Sequence, residues 1–372
     1  MTMHKYDQPS AILRGFGNRL NYLCHCDAQS KTADHATSLH HPSDKQRSEQ
    51  APLSTRNIGT SSCIQPLSQA KPAANLLYLL VTLLTLWTIP TTALAQAADS
   101  NFRIGFTNNM FTEVNENDAR AAMTVWGQTV ARERGIPVEP EVLVYKAVQD
   151  MLPDLLDGQM DVAAVTSMEY DLLRHEVEFS PIFLTYHDGE TAEEFVLLAH
   201  RDGPLETLAD LAGRHVHVHQ ALRASLAPLW LDALLVQEKL EPLAELAGRV
   251  TTLPSLSQTL LPVFFRQADA CLVTRHGFET MVELNPQLGA QLHILAASEP
   301  MVPAVFAFRR DYAPSFLEQL LAGIRDLHET PAGGQVLLVF NSERIGDYPE
   351  SALNTALELI ALHRQIVMED DQ

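Results

Sequence analysis

The chain has 372 residues, 46% hydrophobic and 19% charged, enough apolar material for two buried cores and too much for a chain that is disordered throughout. Its formal charge of −20 gathers after residue 95, where 18 of the 26 Lys and Arg but 41 of the 46 Asp and Glu lie, a balance of −23 that excludes a broad nucleic-acid surface. A few local donors in a cleft can still hold an anion, because a distant field is screened over about 10 Å.

Residues 1–70 are rich in Ser, Gln, His and Asn with no apolar period, and read as a disordered tail. Residues 75–90, NLLYLLVTLLTLWTIP, are short for a bilayer-spanning helix and fit the apolar region of a secretory signal. Lys71 precedes them, and Ala93-Leu94-Ala95 makes a small-x-small cleavage site. Residues 71–95 are therefore expected to be a signal peptide. Translation is then expected to begin near Leu67 at a non-Met codon, since no Met lies between Met3 and the apolar run. The alternative is a translated tail with residues 75–90 kept as a membrane anchor. Either way the remainder faces an exported compartment, expected to be the periplasm. Cys24, Cys26 and Cys63 precede the cut, and the Cys24-His25-Cys26 pair is discounted with the tail. Cys271 alone remains; it lies in a buried-strand pattern and reads as a small core residue.

Residues 102–106 form an apolar strand that ends in Thr107, Asn108 and Asn109. Asn117 or Asp118 is expected to cap the following helix, which stops at Gly135 before Pro137. Residues 141–145, EVLVY, are the second strand, and residues 146–159 the second helix. Residues 161–167, DVAAVTS, are the third strand, completing a doubly wound unit. Residues 180–186 and 194–200 are extended runs split by His187-Asp188-Gly189. A second unit follows: a short helix over 205–213, strand HVHVHQ over 215–220, a helix over 225–240, a strand over 249–253, a helix over 256–267, and residues 269–275, DACLVTR. Residues 278–284 and the extended LHILAAS complete it. Residues 303–308 are extended again, and residues 315–328 and 351–364 are amphipathic helices expected to pack on the first unit.

DVAAVTS and DACLVTR share a plan: helix, tight turn, Asp, four small or apolar residues, Thr, then a second polar residue. Short apolar runs without alternation suit parallel strands buried on both faces, and ligand sites lie at the carboxyl ends of such strands. Thr166 with Ser167, and Thr274 with Arg275, are therefore expected to face one another across a cleft. Helix–strand units of any α/β protein look alike, so the pattern also fits two unrelated units. The expected fold class is α/β: two doubly wound lobes, 101–193 with a return over 301–372, and 194–300, joined by a hinge.

RIGFT, the helix with DVAAVTS, EFVLLAHRDGPLETLADLAGRHVHV, DACLVT and LHILAASEPMVPAVFAFRRD follow one another in this order. By this set residues 101–348 resemble the periplasmic binding proteins of phosphate, phosphite and phosphonate ABC transporters, of the type II periplasmic binding protein fold. The resemblance implies an oxyanion held by hydroxyls and backbone amides at the start of the helix after HVHVHQ, where a Ser/Thr-rich loop with glycine is usual. Here that place reads Gln220-Ala221-Leu222-Arg223-Ala224-Ser225; only Ser225 matches in type, and Arg223 is an addition.

His215, His217 and His219 alternate on one strand and point to one face, too far apart in line to converge on one ion. His219 alone, at the strand's carboxyl end, is a cleft candidate. Arg223 is read either as a bidentate clamp or as a solvated arginine. Tyr145 walls the ligand or packs at the rim, and Tyr186 and His187 share that ambiguity. Arg275 is the basic candidate for the opposite lip. No Gly-x-Ser-x-Gly and no phosphate loop occurs, and no cofactor or metal is expected. Three functions stay open: a monomeric solute-binding protein serving a membrane permease, a binding protein of the same fold partnering a sensor kinase, or an enzyme lacking a recognisable base. Phosphonate, sulfonate and a small carboxylate suit the cleft candidates equally.

Overall fold

A computed structural model describes residues 101–112, 115–136 and 138–370; the expected tail and signal peptide lie outside the described residues. The first half opens with β1 (Asn101–Thr107), a single 3-10 turn (Asn108–Phe111), α1 (Glu116–Glu133) and β2 (Glu139–Tyr145). The cap of α1 is Asn115, whose side chain accepts from Asn117 and Asp118 backbone amides, so the expected caps Asn117 and Asp118 sit inside the first turn. Asn115 takes this place because it alone precedes the first helical residue and can reach both free amides.

Next come α2 (Val148–Leu156), β3 (Val162–Thr166), α3 (Ser167–Leu173) and β4 (Phe179–Tyr186). The second half holds β5 (Phe195–His200), β6 (His215–His219), α4 (Ala227–Gln237), α5 (Leu243–Leu246), β7 (Arg249–Leu253), α6 (Leu256–Phe264) and β8 (Ala270–Thr274). It ends with α7 (Arg275–Leu284), α8 (Pro286–Gln291) and β9 (Leu292–Ala297). The chain then returns through β10 (Ala304–Arg309), α9 (Leu317–Arg325), α10 (Pro331–Val339), β11 (Arg344–Tyr348) and α11 (Asn354–Asp370).

The strands make two sheets, ordered β11-β4-β10-β3-β1-β2 and β7-β6-β8-β5-β9. In each, three parallel strands (β2-β1-β3, β7-β6-β8) are extended by antiparallel ones. DVAAVTS and DACLVTR begin alike. Asp161 Oδ2 accepts from Arg103 N on β1 at 2.8 Å, and Asp269 Oδ2 from His215 N on β6 at 2.9 Å. Each Asp is preceded by three residues by a left-handed one, Gly158 (φ 68°) and Arg266 (φ 58°), which turns the helix end into the strand. β3 and β8 are buried along their whole length, as strands covered on both faces must be.

One core lies between the first sheet and α1, α9 and α10, with Trp126, Phe308, Leu321 and Leu337 among its residues. A second packs Leu260, Val263 and Phe278 on the outer face of the second sheet. The longest runs continuously from Met151 and Val165 in the first half to Leu272 and Trp230 in the second, and takes in Leu357 and Ile360 of α11. The expectation for the late helices is thus half corrected. α9 packs on the first sheet, whereas α11 lies against α3 of the first half and α4 of the second, because its apolar face is wide enough to serve both.

Candidate functional site

Two crossovers join the halves: residues 187–194 lead out of β4 and residues 298–303 lead back into β10. They pair at Glu193 and Met301, whose backbones exchange hydrogen bonds of 2.8 and 2.9 Å. Nearby, the turn Asn108–Phe111 packs against the turn Leu222–Ala224 that follows β6, and Leu222 joins the first core. Three of the expected cleft residues bond to these crossovers, Ser167 to Val302, Arg223 to Glu193 and Arg275 to Glu194, and most of the others have partners elsewhere within the chain.

On the first half, Thr107 at the end of β1 is fully buried and its Oγ1 donates to Glu169 Oε2 at 2.7 Å. Asn109 Nδ2 donates to Glu169 Oε1 at 2.8 Å, and Thr166 N and Oγ1 each donate to Oε2 at 3.0 Å. Thr166 and Glu169 form a capping box on α3. A buried carboxylate of the chain itself therefore takes the donors expected for an external anion. Ser167 Oγ is turned away, donating to the Val302 carbonyl at 2.6 Å, and Asn108 is exposed. Tyr145 donates to Asp154, and burial, then that bond, pushes its pKa up. Tyr186 shares its hydroxyl with Tyr348, and the Arg344 guanidinium stands 3.8 Å above its ring. Burial, with Tyr186 beside it, pushes the Tyr348 phenol up to about 12.

On the second half, Thr274 Oγ1 accepts from Gly277 N at 3.1 Å and caps α7. Arg275 is held by Glu194 through Nε and Nη2 at 2.5 and 2.6 Å, and that bonding raises its pKa. Gln220 is exposed. The remaining three residues differ in kind. His219 Nδ1, Arg223 Nη2 and Ser225 Oγ are buried with no hydrogen-bond partner. Arg223, 9% exposed, is no solvated surface arginine: its Nε donates to the carboxylate of Glu193. Burial lowers the pKa of His219, against a hydrogen bond to the Pro254 backbone. His187 touches His276 edge to face at 4.6 Å, and burial, then the Arg223 charge, lowers its pKa.

The internal equivalence sharpens the contrast. Thr107 and His219 end equivalent strands, and Thr166 and Thr274 cap equivalent helices. The third residue after each cap is Glu169 in one half and Gly277 in the other, so only the first half supplies its own carboxylate to the strand ends. Glu169, Glu193 and Glu194 are the residues that sequence reasoning missed. Thr-x-x-Glu at 166–169 signals the first, while the other two pair across the fold with no local mark. His215 and His217 touch each other at 4.6 Å and bond Thr251 and the Thr259 carbonyl. Among the described residues no group of three His, Cys, Asp or Glu is placed to hold a metal ion, and no helix is long and apolar enough to cross a membrane. A space of about 50 Å³ in the first core is walled by residues that include Trp126, Phe183 and Phe308, and none of the cleft candidates lines it.

No curated protein matches the chain. Among solved structures, XAC2383 from Xanthomonas citri, bound to ATP, shares 17% identity over 72% of this chain and 98% of its own, with a TM-score of 0.53. PhnD1 from Prochlorococcus marinus in complex with methylphosphonate shares 14% identity over 70% of this chain and 97% of its own, at 0.48. The likeness to the first of these shows a shared fold, in keeping with the α/β class expected from the sequence. Residues 110–348 match the family described as ABC transporter, phosphonate, periplasmic substrate-binding protein. With well over half of the chain in that match, this protein belongs to the periplasmic substrate-binding proteins of phosphonate ABC transporters.

Proposed function

We propose that the protein captures a small oxyanion, phosphonate-, phosphite- or phosphate-like, between two lobes (101–193 with 301–372, and 194–300) and delivers it to an ABC permease. The observation that carries this reading is the segment from His219 to Ser225. A guanidinium nitrogen, a hydroxyl and an imidazole nitrogen are buried there within seven residues and left without partners. Buried polar atoms in folded proteins are almost always satisfied, so three together mark the place of a partner from outside the chain. Two of the three are donors, and one belongs to a cation, which suits an anion. Of the residues expected from sequence, Arg223, Ser225 and His219 form the core of the proposed site. Asn108 and Gln220 line its rim. Thr107, Asn109, Thr166, Ser167, Tyr145, Thr274, Arg275 and Tyr186 shape it through their internal bonds.

The protein acts in the periplasm after cleavage behind Ala95, as a monomer that binds its ligand without turning it over. Calorimetry with methylphosphonate, phosphate, methanesulfonate and acetate tests the reading, with methylphosphonate expected to bind most tightly. Absence of heat with the three phosphorus and sulfur oxyanions would overturn it. Mass spectrometry of the exported protein should find a new amino terminus near Gln96, and recovery of the intact tail in membranes would refute cleavage.

A further inference from the structure

Glu193 belongs to both of the contacts that could make ligand capture a mechanical event. Its backbone forms the bridge with Met301 that ties the outgoing crossover to the returning one. Its carboxylate, on a side chain only 5% exposed, accepts from Arg223 Nε. Arg223 in turn lies in the turn that packs against Asn108–Phe111 of the other half. A guanidinium carries its donors in a rigid planar fork, so a grip on Nε fixes the plane and aims the terminal nitrogens. Nη2 is the atom left without an acceptor.

The same grip fixes the charge of the pocket. Arg223 and Glu193 are both buried and together sum to zero. Of the other charged or titratable groups at these segments, Arg275 is paired with Glu194, Glu169 accepts from Thr107, Asn109 and Thr166, and burial lowers the pKa of His219 and, together with the Arg223 charge, that of His187. A doubly charged anion entering beside Nη2 meets the Glu193 carboxylate on the other edge of the same guanidinium. A singly charged one meets half that repulsion.

We propose that Glu193 is a positioning residue for anion capture: it aims Arg223 through Nε, reduces the advantage that the Arg223 charge gives doubly over singly charged anions, and passes the pull of a bound ligand to the Met301 bridge. The proposal rests on the anion-binding reading of the site.

Glu193→Gln and Glu193→Ala in the full-length protein test it. Gln keeps an acceptor for Nε and removes the charge, whereas Ala removes both. In the free protein, the Arg223 Nε–H signal in a proton–nitrogen spectrum should be slow to exchange in the natural protein, kept in the Gln variant and lost in the Ala variant. Affinities are then measured from pH 6 to 8 for methylphosphonate, which gains a second charge over that range, and for methanesulfonate, which stays singly charged and cancels any titration of His187. One unit charge removed, even at about 10 Å and an effective dielectric of about 20, changes an affinity by about tenfold. Glu193→Gln should therefore raise the methylphosphonate-to-methanesulfonate affinity ratio about tenfold at pH 8 and little at pH 6. Glu193→Ala loses the same charge and the grip on Nε as well, so it should bind both anions at least tenfold more weakly than Glu193→Gln. An unchanged ratio in the Gln variant, or an Nε–H signal and affinities in the Ala variant equal to those of the Gln variant, overturns the proposal alone. Failure of the natural protein to bind either anion overturns the anion reading and the charge rule together.

Discussion

Thr274 and Ser225 are both hydroxyls beside the proposed site, and the structure gives them opposite fates on removal. Thr274 Oγ1 accepts from the buried amide of Gly277 at 3.1 Å and caps the ten-residue helix α7. Thr274→Val keeps the β-branch that suits the last residue of a strand and strands that amide. Losing such a cap costs about 0.5 to 2 kcal/mol, typically about 1 kcal/mol. For a chain of this size about 1 kcal/mol lowers the melting midpoint by about 2 °C. Ligand affinity should stay within about twofold. Ser225 Oγ is buried with no partner, so Ser225→Ala removes an unsatisfied atom and should leave the midpoint unchanged or slightly raised. It should weaken methylphosphonate binding about fivefold, the worth of about 1 kcal/mol in one hydrogen bond. Scanning calorimetry and titration calorimetry on the two variants give four numbers. A Thr274→Val protein with an unchanged midpoint and at least fivefold weaker binding would refute the division between cap and ligand contact.

Arg223→Ala should weaken binding about tenfold to a hundredfold by removing a donor to a charge, and should also cost about 3 to 5 kcal/mol of stability because it leaves the buried Glu193 unpaired; titration calorimetry and urea unfolding read the two effects, and an unaltered affinity would remove Arg223 from the site. Glu169→Ala frees Thr107, Asn109 and Thr166 of their shared acceptor and should lower the urea midpoint by the equivalent of about 3 kcal/mol, so a change under about 1 kcal/mol would show the carboxylate to be dispensable. Burial lowers the pKa of His219, His187 and His215 from an ordinary value of 6.5. The unfolded chain therefore takes up protons first as the pH falls, and their stability contribution is full above about pH 7 and declines below the unfolded value. Melting midpoints should drop between pH 7 and about pH 5.5, and His219→Gln should flatten part of that drop; a midpoint that rises on acidification through this window would contradict the sign.

Much of the frame is legible in the sequence because it rests on local rules. The apolar runs of β3 and β8, their leading Asp161 and Asp269, and the turn before each are patterns a chain displays without knowing its partners. The carboxyl ends of the strands are legible as places. What each polar side chain does there is not, because Thr166 and Thr274 serve the free amides of the helices they start, and such capping competes with ligand contact at the same address. Tyr145, Tyr186 and Arg275 are spoken for by Asp154, Tyr348 and Glu194, the last two through pairings that join distant parts of the chain. α10 escapes sequence reading because Gly333 and Gly334 weaken its helical signal. With α10 unread, β11 has no context, though it pairs with β4 along its full length. Arg223 is the reverse case: its place was legible, its burial against Glu193 was not.

α11 leans on α3 at one place and α4 at another, and the two supports differ in chemistry. Against α3 it is fastened by Arg364, which donates to Asp171, a side chain 3% exposed. Against α4 it rests on apolar side chains, Trp230 and Leu231 meeting Leu357 and Ile360 in one core. Apolar surfaces slide where an ion pair holds, so any change in the angle between α3 and α4 should be taken up as slip along α4. Since α4 begins just after Ser225, that slip would carry events at the proposed site along α4 to α11. Gln365, exposed on α11, is thus a place where a fluorescent label would sense occupancy without touching the ligand's path, making the last helix a natural gauge needle for a binding sensor.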